Sequence, residues 1–192
     1  VNAGTGRVGR HVTSRIRVRG WLRTRSPLHV GGVGDDPSDP LPIARDGLGR
    51  LYVPGTSLAG VLRNWSRGRD DTGDGLAELW GDAVTGHAAR VFVADALIAN
   101  DTRQDDRTPL LGLSDLEYRP SVGIDRVTGT AAQEFLYGRA VVPAGHYLRL
   151  EIDIESRDEA ARDEARMGAM LAALAAGEIR LGAATGRGYG AV

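Results

Sequence analysis

The chain has 192 residues, no Cys and a formal net charge of −1. That length suits one domain with its own core. The missing Cys excludes disulfides, thiolate zinc sites and thiol catalysis and fits a reducing cytoplasm, while no apolar run is long enough to span a bilayer and no signal-peptide pattern opens the chain. Lys is absent, so all 24 basic residues are Arg. GC-rich coding yields that composition too, but its chemistry is the same either way. Schiff-base and P-loop lysine mechanisms are ruled out, and every permanent cation is a planar fork suited to phosphate. Aromatic residues make up 5% of the chain, too few for extended base-stacking platforms.

Residues 1–11 are Gly-rich and polar and read as a loose end. The first residue is Val, which fits a fragment, a processed end or a GTG start. "TSRIRVRGWL" alternates, with Ile16 and Val18 on one face and Arg15, Arg17 and Arg19 on the other, so it predicts a half-buried strand. Residues 29–42 form a loop of Gly, Asp and Pro. "DGLGR" predicts a β-turn capped by Asp46. "SLAGVLRNW" places Leu58, Val61, Leu62 and Trp65 at helical spacing. "GLAELW" predicts a second short helix, and "ARVFVADALI" a strand over 89–98. Residues 100–129 are polar and irregular apart from a short extended piece at 121–124, a length that points to a functional or a disordered loop.

"EFLYGRAVV" and "YLRLEIDIE" predict two strands joined by "PAGH". In the second, Leu148, Leu150, Ile152 and Ile154 point inward. "DEAARDEARMGAMLAALAAG" predicts a helix with early acids and Gly177 as its C-terminal stop. "EIRLG" predicts a last strand, running into the Gly-rich "AATGRGYGAV". The order is that of a ferredoxin-like, RNA-recognition type α+β fold with additions.

Two stretches suit an anion. Thr56 and Ser57 open a helix, where N–H groups and the helix dipole favour phosphate, or where they serve only as N-caps. Four glycines in 182–190 leave backbone N–H groups open around Arg187, in a site or in a flexible tail. None of the four His residues pairs at metal-ligand spacing.

Taken together, "PLHVGG", "PIARDGLGRLYVPGTSLAGVLR", "VGIDRVTGTA", "VVPAGHYLRLEI" and "LGAATGRGYG" resemble, in order, signature blocks of the RAMP superfamily. The resemblance is to the backbone subunit of type III CRISPR RNA-targeting effectors and covers roughly residues 14–190. It implies one RAMP domain over 1–192. That domain would be a modified RNA-recognition fold: an antiparallel sheet, helices on one face, and a protruding thumb at about 100–129. It implies polymerisation along guide crRNA, with target RNA, copies of the same chain and other effector subunits as partners, in the cytoplasm and without membrane attachment. Gly55, Thr56, Ser57 and Arg63 would meet guide phosphates, with His29, Arg45, Arg126, Gly186 and Arg187 as further RNA contacts.

Cutting members carry an Asp just before a "P-[VI]-x-R" segment. That Asp supports attack by a ribose 2′-OH with Mg²⁺ or another divalent metal. Here Pro42, Ile43 and Arg45 match, but Pro40 stands at the Asp position. Asp39, one residue early, is the catalytic and metal-binding candidate, followed by Asp36 and Asp35. Turn-forming, solvated acids are the alternative reading of all three. Two other functions stay open: a non-cutting scaffold of the same complex, and a metal-independent guide-processing endoribonuclease with His29 as general base. The chain stops within a block after which family members continue, so a domain of a longer fusion is expected alongside a stand-alone subunit.

Overall fold

The computed structural model describes residues 11–32, 34, 40–68, 74–82, 84, 86–103 and 110–192, with backbone alone for 74–76 and 131–136. Strand β1 (Ser14–Arg23) pairs antiparallel with β7 (Tyr147–Ser156) along all ten residues of each. Alternation explains that register. Leu148, Leu150, Ile152 and Ile154 lie in the core, with Ile16, Val18 and Leu22 packed against it. The opposite face is a charged ladder of Arg15 on Glu155, Arg17 on Asp153, and Arg19 on Glu151 and Asp153.

On its other edge, β7 meets two short strands, β3 (Val91–Val93) and β4 (Ala96–Ala99). β2 (Tyr52–Val53) completes the sheet beside β4. Helices α1 (Gly55–Arg67), α2 (Asp74–Trp80) and α3 (Ala160–Ala175) follow the apolar spacing in the sequence. Leu58 and Leu62 of α1 and Met167, Met170 and Leu174 of α3 are buried, and truncating one such Leu costs about 2–5 kcal/mol. Gly177 ends α3 at φ +75, its N–H on the Leu174 carbonyl. No helix among the described residues is long and apolar enough to cross a membrane.

Three expected elements differ. The strand over 89–98 is broken at Ala94 and Asp95 into β3 and β4. The break seats Gly55, because a Cβ there would come within 2.2 Å of the Val93 carbonyl oxygen. The strand "EIRLG" does not form. Leu181 and Ala183 instead donate to the carbonyls of Gly190 and His29. Gly182 at φ +74 and Gly190 at φ +79 are incompatible with an extended strand.

The irregular stretch becomes regular in its second half. β5 (Glu117–Ile124) and β6 (Ala131–Val141) form a separate two-stranded hairpin. This hairpin spans 117–141 and overlaps the end of the 100–129 stretch expected as a thumb; β6 pairs with β5 and not with β7. At its tip the Asp125 carboxylate accepts from the N–H groups of Val127 and Thr128, and Gly129 turns at φ +70. The expected loose end over 1–11 lies, but for His11, outside the described residues.

Candidate RNA-binding site

The N-terminus of α1 does not stand open. Pro54 is the N-cap residue, and the expected caps Thr56 and Ser57 make no side-chain capping bond. The Gly55 N–H donates to the Asp95 carboxylate at 2.7 Å, supplied by the β3–β4 break. The chain thus places its own anion on the first N–H of this helix. Gly55 is buried, so backbone packing explains it. The N–H of Ser57 turns back to the Pro54 carbonyl.

Thr56 and Ser57 still face a hollow. With Gly31, Gly60, Gly182 and Ala183 they line a groove of about 350 Å³. It adjoins a second groove of about 460 Å³ along α1, lined by Asn64, Trp65, Arg180 and Thr185. The two anion-type stretches, 120 residues and more apart in sequence, are therefore one concave surface. Small residues line it, so a ligand can approach the backbone closely. The seam is the backbone of His29, whose carbonyl accepts from Ala183. A Cβ on Gly182 would lie 2.2 Å from that same carbonyl oxygen.

His29 is a wall rather than a surface group. It is 3% exposed, and its Nδ1–H donates to the Ala140 carbonyl at 2.7 Å. Burial holds its pKa below the ordinary value, the Ala140 bond pulls upward, and the nearby Arg139 charge lowers it further. A general base needs a ring nitrogen within reach of substrate, and this imidazole is enclosed.

The remaining candidates fall in different places. Arg63 lies outside the groove, with its guanidinium donating to the Gly81 carbonyl at 3.1 Å. Arg45 is exposed and borders a hollow of about 330 Å³ beneath the hairpin, with Pro40, Leu116 and Tyr118. Arg126 is exposed at the hairpin tip. Gly186 and Arg187 form a 3-10 turn, Thr185–Arg187, held between left-handed Ala184 and Gly188. From it Arg187 reaches the Tyr137 hydroxyl of β6 at 3.5 Å.

Asp39, Asp36 and Asp35 lie outside the described residues, but both roots of their loop are described. The Gly32 N–H donates to the Pro42 carbonyl at 3.0 Å, closing the loop base beside groove-lining Gly31. Pro40 packs on Gly138 of the hairpin strand β6. The loop therefore springs from the line between groove and hairpin. Among the described residues, no group of three or more His, Asp or Glu side chains is placed to hold a metal ion.

Sequence reasoning missed Asp95, Tyr137 and Arg139. Asp95 carries no local signal, being brought to α1 by the strand break. Tyr137 and Arg139 carried one. Two residues apart on a strand, they share a face.

A family model described as the RAMP superfamily matches residues 21–192. No curated protein gives a significant match. Among solved structures, the chain is similar to one described as a type III-B Cmr-beta bound to cognate target RNA. That likeness has a TM-score of 0.64 at 13% sequence identity and covers 93% of this chain and 95% of the other.

Proposed function

The chain belongs to the RAMP superfamily, and from that premise we propose that it is an RNA-binding subunit of a type III CRISPR effector complex. The observation that carries this reading is the groove joining Thr56 and Ser57 to Gly31, Gly182 and Ala183. Backbone-lined and built of small residues, it suits a sugar-phosphate strand held without regard to base sequence, as a protein holding many guides requires. The likeness to a Cmr-beta structure with target RNA supports the same assignment. The test is to co-express the chain with a CRISPR array and neighbouring effector genes and to sequence the RNA that purifies with it. Stoichiometric, repeat-derived RNA is expected. Folded protein free of such RNA overturns the reading.

The finer reading is that the subunit cuts the target strand, with Asp39 as the reacting carboxylate and Asp36 as second candidate. What supports it is the position of the loop roots, between groove and hairpin. The Asp39 carboxylate would take the proton of an attacking 2′-OH, or hold the divalent ion that this chemistry uses. Asp39→Ala is expected to abolish cleavage of complementary RNA while guide RNA still co-purifies. Undiminished cleavage by that variant moves the role to Asp36 or Asp35. The general-base reading of His29 is disfavoured by its enclosure.

A further inference from the structure

We propose that Tyr137, Arg139 and Arg187 form a second RNA subsite, a clamp for one phosphodiester at the root of the 35–39 loop. This inference rests on the RNA-binding reading above and names a contact that reading does not contain.

Four observations meet there. Arg187 reaches the Tyr137 hydroxyl from the Gly-rich turn, and the Arg139 guanidinium stands 5.9 Å from the centre of the same ring. Two cations thus flank one phenol. Second, neither arginine has an acidic partner among the described residues. Arg139 also keeps a buried Nε with no hydrogen bond. Arg15, Arg17, Arg19, Arg119 and Arg149 sit on carboxylates, while Arg23 of β1 stands over the Tyr147 ring much as Arg139 stands over Tyr137. Third, Arg139 lies directly opposite Arg119 in the hairpin register. Like charges placed opposite each other destabilise a β pair, and among the described residues the Arg119 charge is met by Glu117 alone. An arriving anion relieves that conflict. Fourth, the arginines already act on their neighbours. Tyr137 has its pKa lowered, first by the hydrogen bond from Arg187 and then, against opposing burial, by the charges of Arg187 and Arg139.

The ligand class follows. Two planar forks around a hydroxyl match a tetrahedral anion with several acceptor oxygens. The ring face of Tyr137 adds a surface for a sugar or base. Leu41 pairs with the β6 backbone at Gly138 and Ala140, so a phosphate held here lies beside the strand segment where the loop meets the hairpin, on the face opposite Pro40.

The test measures RNA affinity across a salt series in two arms. In one, guide-length single-stranded RNA binds the purified chain. In the other, labelled complementary RNA binds the guide-loaded chain. The variants are Arg187→Ala, Arg139→Ala and Tyr137→Phe, with Arg15→Ala as a charge-matched control from the sheet face. Each clamp arginine is expected to lower affinity about 5- to 10-fold and to reduce the salt slope by about 1 in one arm. The control should do neither. Loss in the first arm assigns the phosphate to the guide, and in the second to the target. Arg187 is exposed, so Arg187→Ala keeps the test open if Arg139→Ala fails to fold. Wild-type binding that matches Arg187→Ala in both affinity and slope overturns the clamp alone. Absence of RNA binding by the wild type overturns the functional reading and the clamp with it.

Discussion

At His29 one residue joins two elements, and burial makes its ring costly to charge. The neutral ring donates to Ala140 of β6, while the residue's carbonyl takes the Ala183 N–H. Burial keeps its pKa below the ordinary imidazole value of 6.5, and burial acts the same way on His146, against a weaker upward pull from Asp115. The unfolded chain therefore takes up protons first as pH falls. The stability contributed by these rings is complete above about pH 6.5 and is lost as pH falls from there through the folded-state values. Thermal melts between about pH 7.5 and about pH 5 should show this loss. His29→Asn, which can still donate to Ala140, should flatten part of it; an unchanged acid limb would count against the buried-neutral assignment.

Arg63 poses a question of the same size. As a phosphate contact it would contribute about 1 to the salt slope of RNA binding. Its bond to Gly81 instead ties α1 to the end of α2. Arg63→Ala should therefore lower the melting temperature and leave the salt slope unchanged. A shallower slope at unchanged stability would return it to the RNA.

Among the elements, the Gly-rich segment is the one that sequence alone read least well. Its glycines suggested a phosphate loop, and its "EIRLG" lead suggested a strand. The structure gives the glycines a packing reason. Gly182 and Gly190 stand against carbonyl oxygens of His29 and Leu181 at distances no Cβ tolerates. Local sequence could not show this, because the crowding atoms come from residue 29 and from across the segment's own turn. Gly182→Ala combines that clash with a positive φ. It should cost about 1–3 kcal/mol and widen the groove, read as a lower denaturation midpoint together with weaker RNA binding. A variant as stable as wild type would mean the seam can shift without harm. By contrast, β1, β7, α1 and α3 were legible from periodicity, because each lays one apolar face on the shared core. The hairpin was legible only in part. Its exposed strands bury little, and Val122, Ile124 and Val127 remain exposed at 43%, 67% and 95%.

For the molecule as a whole, one buried ion pair ties the layers together. Arg90 grips Asp163 of α3 with both terminal nitrogens and also donates to the carbonyls of Glu78 and Glu155, while the Ser156 hydroxyl donates to Asp163. Arg90 is 7% exposed and Asp163 is fully buried. Removing one partner strands the other charge in the core, so Asp163→Ala should cost about 3–5 kcal/mol. Arg90→Met combined with Asp163→Leu should recover much of that loss in urea unfolding. A double variant no better than the single would show that the satisfied network, and not the stranded charge, is what the fold needs. Nothing in the sequence announced this pair: its members are 73 residues apart, and Asp163 reads locally as one more acid in a solvated run.

The ladder on the outer face of the sheet has a different bearing, on inheritance. Arg15 with Glu155, Arg17 with Asp153 and Arg19 with Glu151 are exposed or half-exposed pairs, each worth at most about 1 kcal/mol. Selection therefore has little hold on any single rung. It has more on the sum, because losing one sign throughout would leave a row of like charges facing one another across two strands. Descendants of this chain should drift freely in which strand carries the arginines while keeping each rung neutral, so that substitutions at 15, 17 and 19 arrive in company with changes at 155, 153 and 151.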